Sequence, residues 1–476
     1  MLILSALLIP LILALLSTFV RGKWLQGLNL AGGFVLLAIS IQLFMAVEQS
    51  GSMSFVFGDW PLPYGIEFYV DGLSAILVML IALISVVVTV FMLNWPSIKN
   101  TAAYFSLIQV LVASSIAVGL AADLFNLYVW FELMLIAVMG LLVLGGGRQH
   151  FEAALKYFAI SMLGTLLMLA AIGMIHGAVG HLNFDAINDA MQQPEVASKF
   201  PFYGGLFILA MLLKVGAFPL FAWLPAAYHL LPAPLLALVG GLLTKLSIYI
   251  ILRLSGQVFE LNLFYDALGW LAVITMISGV LGAAYHWDLR RILAFHIVSQ
   301  VGFLLLGIAL ASPAGATGTA FFLFHNILVK ANLFLIAGVI WMTAGHYDLR
   351  RIGGLFPARP LLSVMFLLSA LSLVGVPPTS GFWGKLLIIS ESLDQQHYWW
   401  AAAALFTGML TLYSMSKIWL EGFWKAHPDN TVSEQAVSYP VYAVMLLMSM
   451  IILFIGLTPD FLISFLQSGQ QGFYGG

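Results

Sequence analysis

Runs of about twenty apolar residues, separated by short polar breaks, recur along almost the whole chain. An α-helix needs about 20 residues to cross the hydrocarbon core of a bilayer, so each run is long enough to span it. Fourteen spans are predicted: 2–20, 28–46, 70–92, 104–121, 124–144, 156–177, 204–222, 235–253, 266–285, 292–311, 318–342, 361–390, 400–420 and 439–458. The first run is too long and too poorly flanked at its start for a cleaved signal, and it reads as the first span. The pattern predicts an all-α polytopic membrane protein with a single membrane domain over residues 1–476.

Two spans are interrupted at matching places. Val215-Gly216-Ala217-Phe218-Pro219 in helix 7 and Val374-Gly375-Val376-Pro377-Pro378 in helix 12 share Val-Gly and a proline four residues after the valine. Five helices separate them, so the two segments cross the membrane in opposite directions. An inverted repeat is predicted, residues 104–253 (helices 4–8) against 266–420 (helices 9–13). Breaks at corresponding positions of two halves point to a transport site, because an unwound turn frees backbone dipoles and admits water.

The polar connections are too short to house a catalytic domain. The longest are 47–69, whose GDWPLPYGIEFYV reads as a small hairpin, and 178–203, which carries Asp185, Asp189 and Glu195. Neither holds a phosphate cradle, a metal-ligand cluster or a nucleophile with a spaced base, which disfavours a membrane-embedded enzyme and predicts neither metal nor cofactor. His150, His181, His286, His346, His397 and His427 are scattered singly, and with His176 at a helix end they read as surface or interfacial residues.

Composition narrows the class further. Hydrophobic residues make up 62% and charged residues 8% of the chain, with mean hydropathy +1.04, far from any soluble domain. The absence of cysteine excludes disulfides, thiolate metal sites and iron–sulfur clusters held by this chain, and a net charge of -2 leaves no footprint for nucleic acid. With the N-terminus outside, one side holds Arg21, Lys23, Lys99, Arg148, Lys156, Arg290, Arg291, Arg350, Arg351, Arg359, Lys417 and Lys425, the other only Lys199 and Arg253. Positive residues gather on the inner side, so both termini are expected on the outer side.

Four lysines and one glutamate fall inside the apolar spans: Lys214, Lys245, Lys330, Lys385 and Glu132. A charge at the bilayer centre costs about 2.5–3.5 kcal/mol even on the lenient insertion scale, and ion or proton transport is the ordinary reason for it. A static salt bridge from Glu132 to one lysine would leave three lysines unexplained. Lysine can release its proton when buried and arginine cannot, which makes the midplane lysines candidate proton carriers. A Na⁺ site wants several oxygen ligands, and only Glu132 is both deep and anionic, so sodium fits this chain poorly. Helix 11 adds His325, Asn326 and Asn332 beside Lys330, and helix 10 adds His296, Ser299 and Gln300. His296 reads as a hydrogen-bonded structural residue. His325 lies on the sequence path between the two breaks and reads as a relay, since the ordinary histidine pKa of about 6.5 suits transfer in both directions.

These residues carry a resemblance. Trp130-Phe131-Glu132-Leu133, Lys214-Val215-Gly216, Trp223-Leu224-Pro225 and Lys245 resemble the proton-transporting antiporter-like subunits of respiratory complex I and their relatives. DLRRILAFHIVSQVGF, FLFHNILVKANLFLIAG, RRIGGLF and ALSLVGVPPTSGFWGK resemble one branch, the D subunit of the multisubunit Mrp-type Na⁺/H⁺ antiporter. The resemblance covers helices 2–14. It implies Glu132 paired with Lys214, Lys245 as a central carrier fed from the inside, His325 with Lys330 as the helix-11 link, and Lys385 as a carrier near the outer exit, about six residues from the outer helix end. It further implies a bacterial or archaeal plasma membrane, partner membrane subunits in a hetero-oligomeric complex, and Na⁺ handled by a partner. A lysine at 385, where one complex I branch uses glutamate, and a chain ending soon after helix 14 both favour the Mrp branch. A subunit of a redox-driven complex and a membrane subunit of an inorganic carbon transporter are the alternatives. No role is carried onto His229.

Overall fold

The computed structural model describes residues 1–96, 101–259, 264–427 and 437–469. Lys99, one of the inner-side cations, lies outside the described residues. Fourteen helical units follow one another: α1 (Leu2–Phe19), α2 (Gly22–Ser50), α3 (Gly72–Leu93), α4 (Thr101–Leu120), α5 (Leu124–Val143), α6 (Gly147–Val179), the broken α7 (Phe200–Val215, then Trp223–Tyr228), α8 (Ala233–Gln257), α9 (Tyr265–Tyr285), α10 (Leu289–Ala309), α11 (Pro313–Ala344), the broken α12 (Pro360–Val374, then Ser380–Asp394), α13 (Tyr398–Ile418) and α14 (Tyr439–Leu457).

Twelve of these units, among the described residues, are long and apolar enough to cross a membrane, with α7 counted whole. The other two are α12, which the break divides into segments of 15 residues each, and α13, whose aromatic and hydroxyl side chains dilute its hydropathy. Helices also outrun the apolar runs. α2 begins at Gly22, which puts Lys23 inside a helix rather than in a loop, and α6 begins at Gly147, nine residues before Lys156 where the span was expected to start. Hydropathy marks the hydrocarbon slab, and helical hydrogen bonding continues past it into the headgroup region.

The connection after α2 forms the expected hairpin, with β1 (Met53–Val56) antiparallel to β2 (Glu67–Val70) and Met53 opposite Val70. The longer connection after α6 carries two short helices, Phe184–Met191 and Pro194–Ala197. A last helix, Pro459–Gly469, packs against α3.

Both breaks have the same backbone cause. α7 stops at Gly216 (φ 76°) and α12 at Gly375 (φ 92°), each in the left-handed conformation that only glycine adopts without strain and that ends a helix. A second correspondence links the halves. The start of α5 bridges the start of the Phe184–Met191 helix (Asp123 with Asn183), and the start of α10 bridges the turn after α11 (Asp288 with Asp348). Both partners are displaced by 165 positions, 123 to 288 and 183 to 348.

α8, α10 and α11 form the centre, almost wholly enclosed by the others, whereas α1, α2, α6 and α14 turn most of their surface outward. The enclosed helices are the ones that carry Lys245, His296, Gln300, His325 and Lys330, all at most 1% exposed. The polar residues that lipid would penalise are thus inside the protein.

Candidate functional site

Glu132 on α5 and Lys214 on the last turn before the α7 break are both half-buried, and they do not meet directly as the expected pair. Thr165 of α6 stands between them: its hydroxyl donates to Glu132 Oε1, and Lys214 Nζ donates to Thr165 Oγ1 at 3.0 Å. The reason is helix order, since α6 packs against both α5 and α7. Gly164 permits the approach, because a Cβ there would lie 3.3 Å from Ala210 O and 3.5 Å from Lys214 Cγ. Thr165 had no distinct signal in the sequence, being one hydroxyl in an apolar run; the adjoining glycine was the only hint. Beside Lys214, a cavity of about 20 Å³ reaches Leu243 and Ser247 of α8, which flank Lys245. That is room for one water.

Lys245 is fully buried and donates to Gly240 O at 2.8 Å. α8 and α11 approach closely at Gly241, where a Cβ would sit 3.6 Å from Ile327 O. Lys330 on α11 is fully buried, its Nζ has no hydrogen-bond partner among the described residues, and both Lys245 and Lys385 lie within its electrostatic reach.

Lys385 is held by the break itself. Its Nζ donates to Leu373 O at 2.9 Å and Val374 O at 2.8 Å, and it lies 4.7 Å from the Phe303 ring centroid. Those carbonyls are available because Gly375 N and Val376 N both turn back to Leu371 O. The expectation that a broken helix frees backbone dipoles therefore holds at α12. At α7 the same turn recurs, with Ala217 N on Leu212 O, but Lys214 precedes the break and its Nζ goes to Thr165 instead. Lys385 is nine residues, roughly 14 Å, from the helix end at Asp394 and packs against the break.

His325 Nδ1 lies 2.8 Å from Ser380 Oγ at the start of the second α12 segment, and its ring stacks on Phe322 at 5.4 Å. Its Nε2 is buried without a partner among the described residues. His325 thus couples α11 to the far side of the α12 break. Gly381 makes this possible, since a Cβ there would strike Ser372 O and stand 2.8 Å from the imidazole.

Further polar atoms in the same interior are buried and have no partner among the described residues: Thr244 Oγ1, Ser299 Oγ, both amide atoms of Gln300, Asn326 Oδ1 and Thr407 Oγ1. Leaving such a group unsatisfied costs about 1–3 kcal/mol, so buried groups of this kind ordinarily bond to water. His296 has the same pattern as His325: its Nε2 lies 3.0 Å from Ser414 Oγ of α13, and its Nδ1 is buried without a partner among the described residues.

His229 and Arg253 lie outside this line. His229 Nδ1 donates to Pro225 O at 2.8 Å, and burial, with the nearby Arg291, pushes its pKa below the ordinary histidine value. Arg253, counted from the sequence as a boundary cation, is instead 3% exposed and paired with Asp71 at 3.3 Å.

Residues 121–411 match the family described as NADH:quinone oxidoreductase/Mrp antiporter, TM. Among curated relatives, the D subunit of the Na⁺/H⁺ antiporter of Alkalihalophilus pseudofirmus is 36% identical over 430 residues, covering 89% of this chain and 87% of the relative. The protein of the same description in Bacillus subtilis is 32% identical over 453 residues, with 93% and 92% covered. A chain of the Mrp complex structure from Dietzia sp. superposes with a TM-score of 0.89 at 27% identity, covering 99% of this chain and 97% of that one. A chain of respiratory complex I from Thermus thermophilus shares the fold, with a TM-score of 0.88 at 24% identity over 100% of both. The broken helices, the buried lysines and these likenesses agree: the chain belongs to the NADH:quinone oxidoreductase/Mrp antiporter family, in the branch of the Na⁺/H⁺ antiporter D subunits.

Proposed function

We propose that this chain is the proton-translocating subunit of a multisubunit Na⁺/H⁺ antiporter, in which protons move along a midplane chain of lysine, histidine, glutamate and water. One observation carries the reading: Lys245, Lys330, His325 and Lys385 are all buried, and among the described residues none has a carboxylate as a hydrogen-bond partner. Three fixed ammoniums in a low dielectric without counter-charge are untenable, so some lysine must spend time neutral, sit in water or be paired by another chain, and the first of these suits a proton carrier. Glu132, Thr165 and Lys214 form the first station, Lys245 the second, Lys330 with His325 the link, and Lys385 the last. Residues 104–253 and 266–420 act as the two inverted half-channels, and the paired bridges displaced by 165 positions support that division.

The hairpin and both termini face outward across the plasma membrane, following the excess of arginine and lysine on the other face. Na⁺ passes through a partner subunit, and the chain works as a transporter subunit rather than an enzyme. A redox-driven complex is the weaker alternative, resting on structures at 24% identity that share the fold.

Reconstitution of the assembled complex in sealed vesicles tests this. A Na⁺ gradient should drive proton movement with the complex and not with this chain alone. Iron–sulfur subunits co-purifying with the chain would decide for the redox alternative. Within the first station, Glu132→Gln should cut antiport by on the order of 100-fold and Thr165→Val by about tenfold, with assembly intact. Normal antiport in both variants would reduce this cluster to a structural tie.

A further inference from the structure

We propose that Arg253, locked to Asp71 and Tyr249, is a seal that closes the first half-channel to the hairpin face of the membrane. The inference rests on the assignment of Lys245 as a carrier. Lys245, Tyr249 and Arg253 are spaced four residues apart and therefore lie along one face of α8. Lys245 sits at the centre of the bundle, and Arg253 lines a polar cavity of about 240 Å³ with Glu67, Tyr69, Asn183, Asp185 and Asn188. Two of these residues belong to the hairpin and three to the connection after α6, so the cavity opens on the hairpin face.

Arg253 and Tyr249 stand between that cavity and Lys245. Arg253 Nη1 donates to Tyr249 Oη at 2.6 Å, Tyr249 Oη donates to Gly119 O at 2.9 Å, and Arg253 Nη2 lies 3.3 Å from Asp71 Oδ2. The guanidinium is 5.3 Å from the Tyr69 ring centroid, and its Nε is buried with no partner among the described residues. No member of this plug suits proton exchange. Arginine does not release its proton. Asp71 is committed to Arg253 and, through Oδ1, to Ser74 N at 2.8 Å in the N-cap of α3. Tyr249 is fully buried with its hydroxyl used as both donor and acceptor. A carrier connected to both faces at once would short-circuit the antiport, and the plug leaves Lys245 without an exit to the hairpin face.

The test is the decay of an imposed pH gradient, in Na⁺-free medium, in sealed vesicles holding the assembled complex at matched levels. Two variants are compared with the unaltered chain. Arg253→Gln with Asp71→Asn keeps neutral hydrogen-bonding groups and opens room for water. Arg253→Lys keeps the ion pair, and so the fold, but offers a proton that can leave. Each should accelerate the decay several-fold, and adding Lys245→Ala should restore the slow rate. Assembled variants that hold the gradient as well as the unaltered chain would overturn the seal, and so would a leak that survives Lys245→Ala. Failure of the carrier assignment itself would show separately, as antiport that persists in Lys245→Arg with Arg253 intact.

Discussion

Lys245→Arg and Lys385→Arg are each expected to assemble normally and to lose Na⁺-dependent proton movement by on the order of 100-fold. Arginine preserves the charge and supplies more donors than lysine, so neither site is disarmed electrostatically. At position 385 the substitution should even bind well, because Leu373 O and Val374 O can accept from a guanidinium and the Phe303 ring is an apt face for it. Release of the proton is what fails. Lys385→Glu keeps a titratable group but turns a carboxyl toward two carbonyl oxygens, so it must be protonated to donate there, and partial activity is expected. Proton movement measured in vesicles at matched protein levels decides the matter. Substantial antiport in both arginine variants would leave these lysines only a fixed electrostatic role.

Gly381→Ala is expected to have the second large effect, on folding as well as on transport. The added methyl strikes Ser372 O, a backbone atom of the first α12 segment, and crowds the His325 ring. Neither neighbour can give way cheaply, since both are fixed by the Ser372, Ser380 and His325 contacts. Overpacking of this kind costs about 1–3 kcal/mol or more, and here it also separates His325 from Ser380. A lower melting temperature of the solubilised complex and loss of antiport should appear together. Gly375→Ala should act similarly through its φ of 92° and a contact 2.9 Å from Lys385 Cδ. Gly408→Ala, with nothing within 4 Å, is the control that should change neither property.

Much of the architecture is legible without coordinates. A span declares itself by the length of an apolar run, and a break by Val-Gly followed by proline, because hydropathy and backbone preference are local properties. The same is true of the deep lysines, whose cost in lipid depends only on their being in the middle of a span. The resemblance of the motifs to the Mrp branch rested on residues that the chain presents in order, and the likeness to named D subunits agrees with it.

Side-chain partnership is different in kind. Thr165 between Glu132 and Lys214 depends on α6 packing between α5 and α7, and Asp71 reaches Arg253 only because α3 and α8 are neighbours. Helix order and rotation within the bundle are set by packing over the whole chain, and no window of sequence contains them. The two breaks make the contrast plain. Their glycines have the same conformation and the same local cause, yet Leu373 O and Val374 O at one break hold Lys385, while Lys214 beside the other goes to Thr165. By itself the sequence determined the spans, their two interruptions and the residues that could carry protons, since each follows from the chemistry of a short stretch in lipid. Only the tertiary structure decided which of those residues are joined and through what intermediaries, because those relations are made between helices that meet in space and not along the chain.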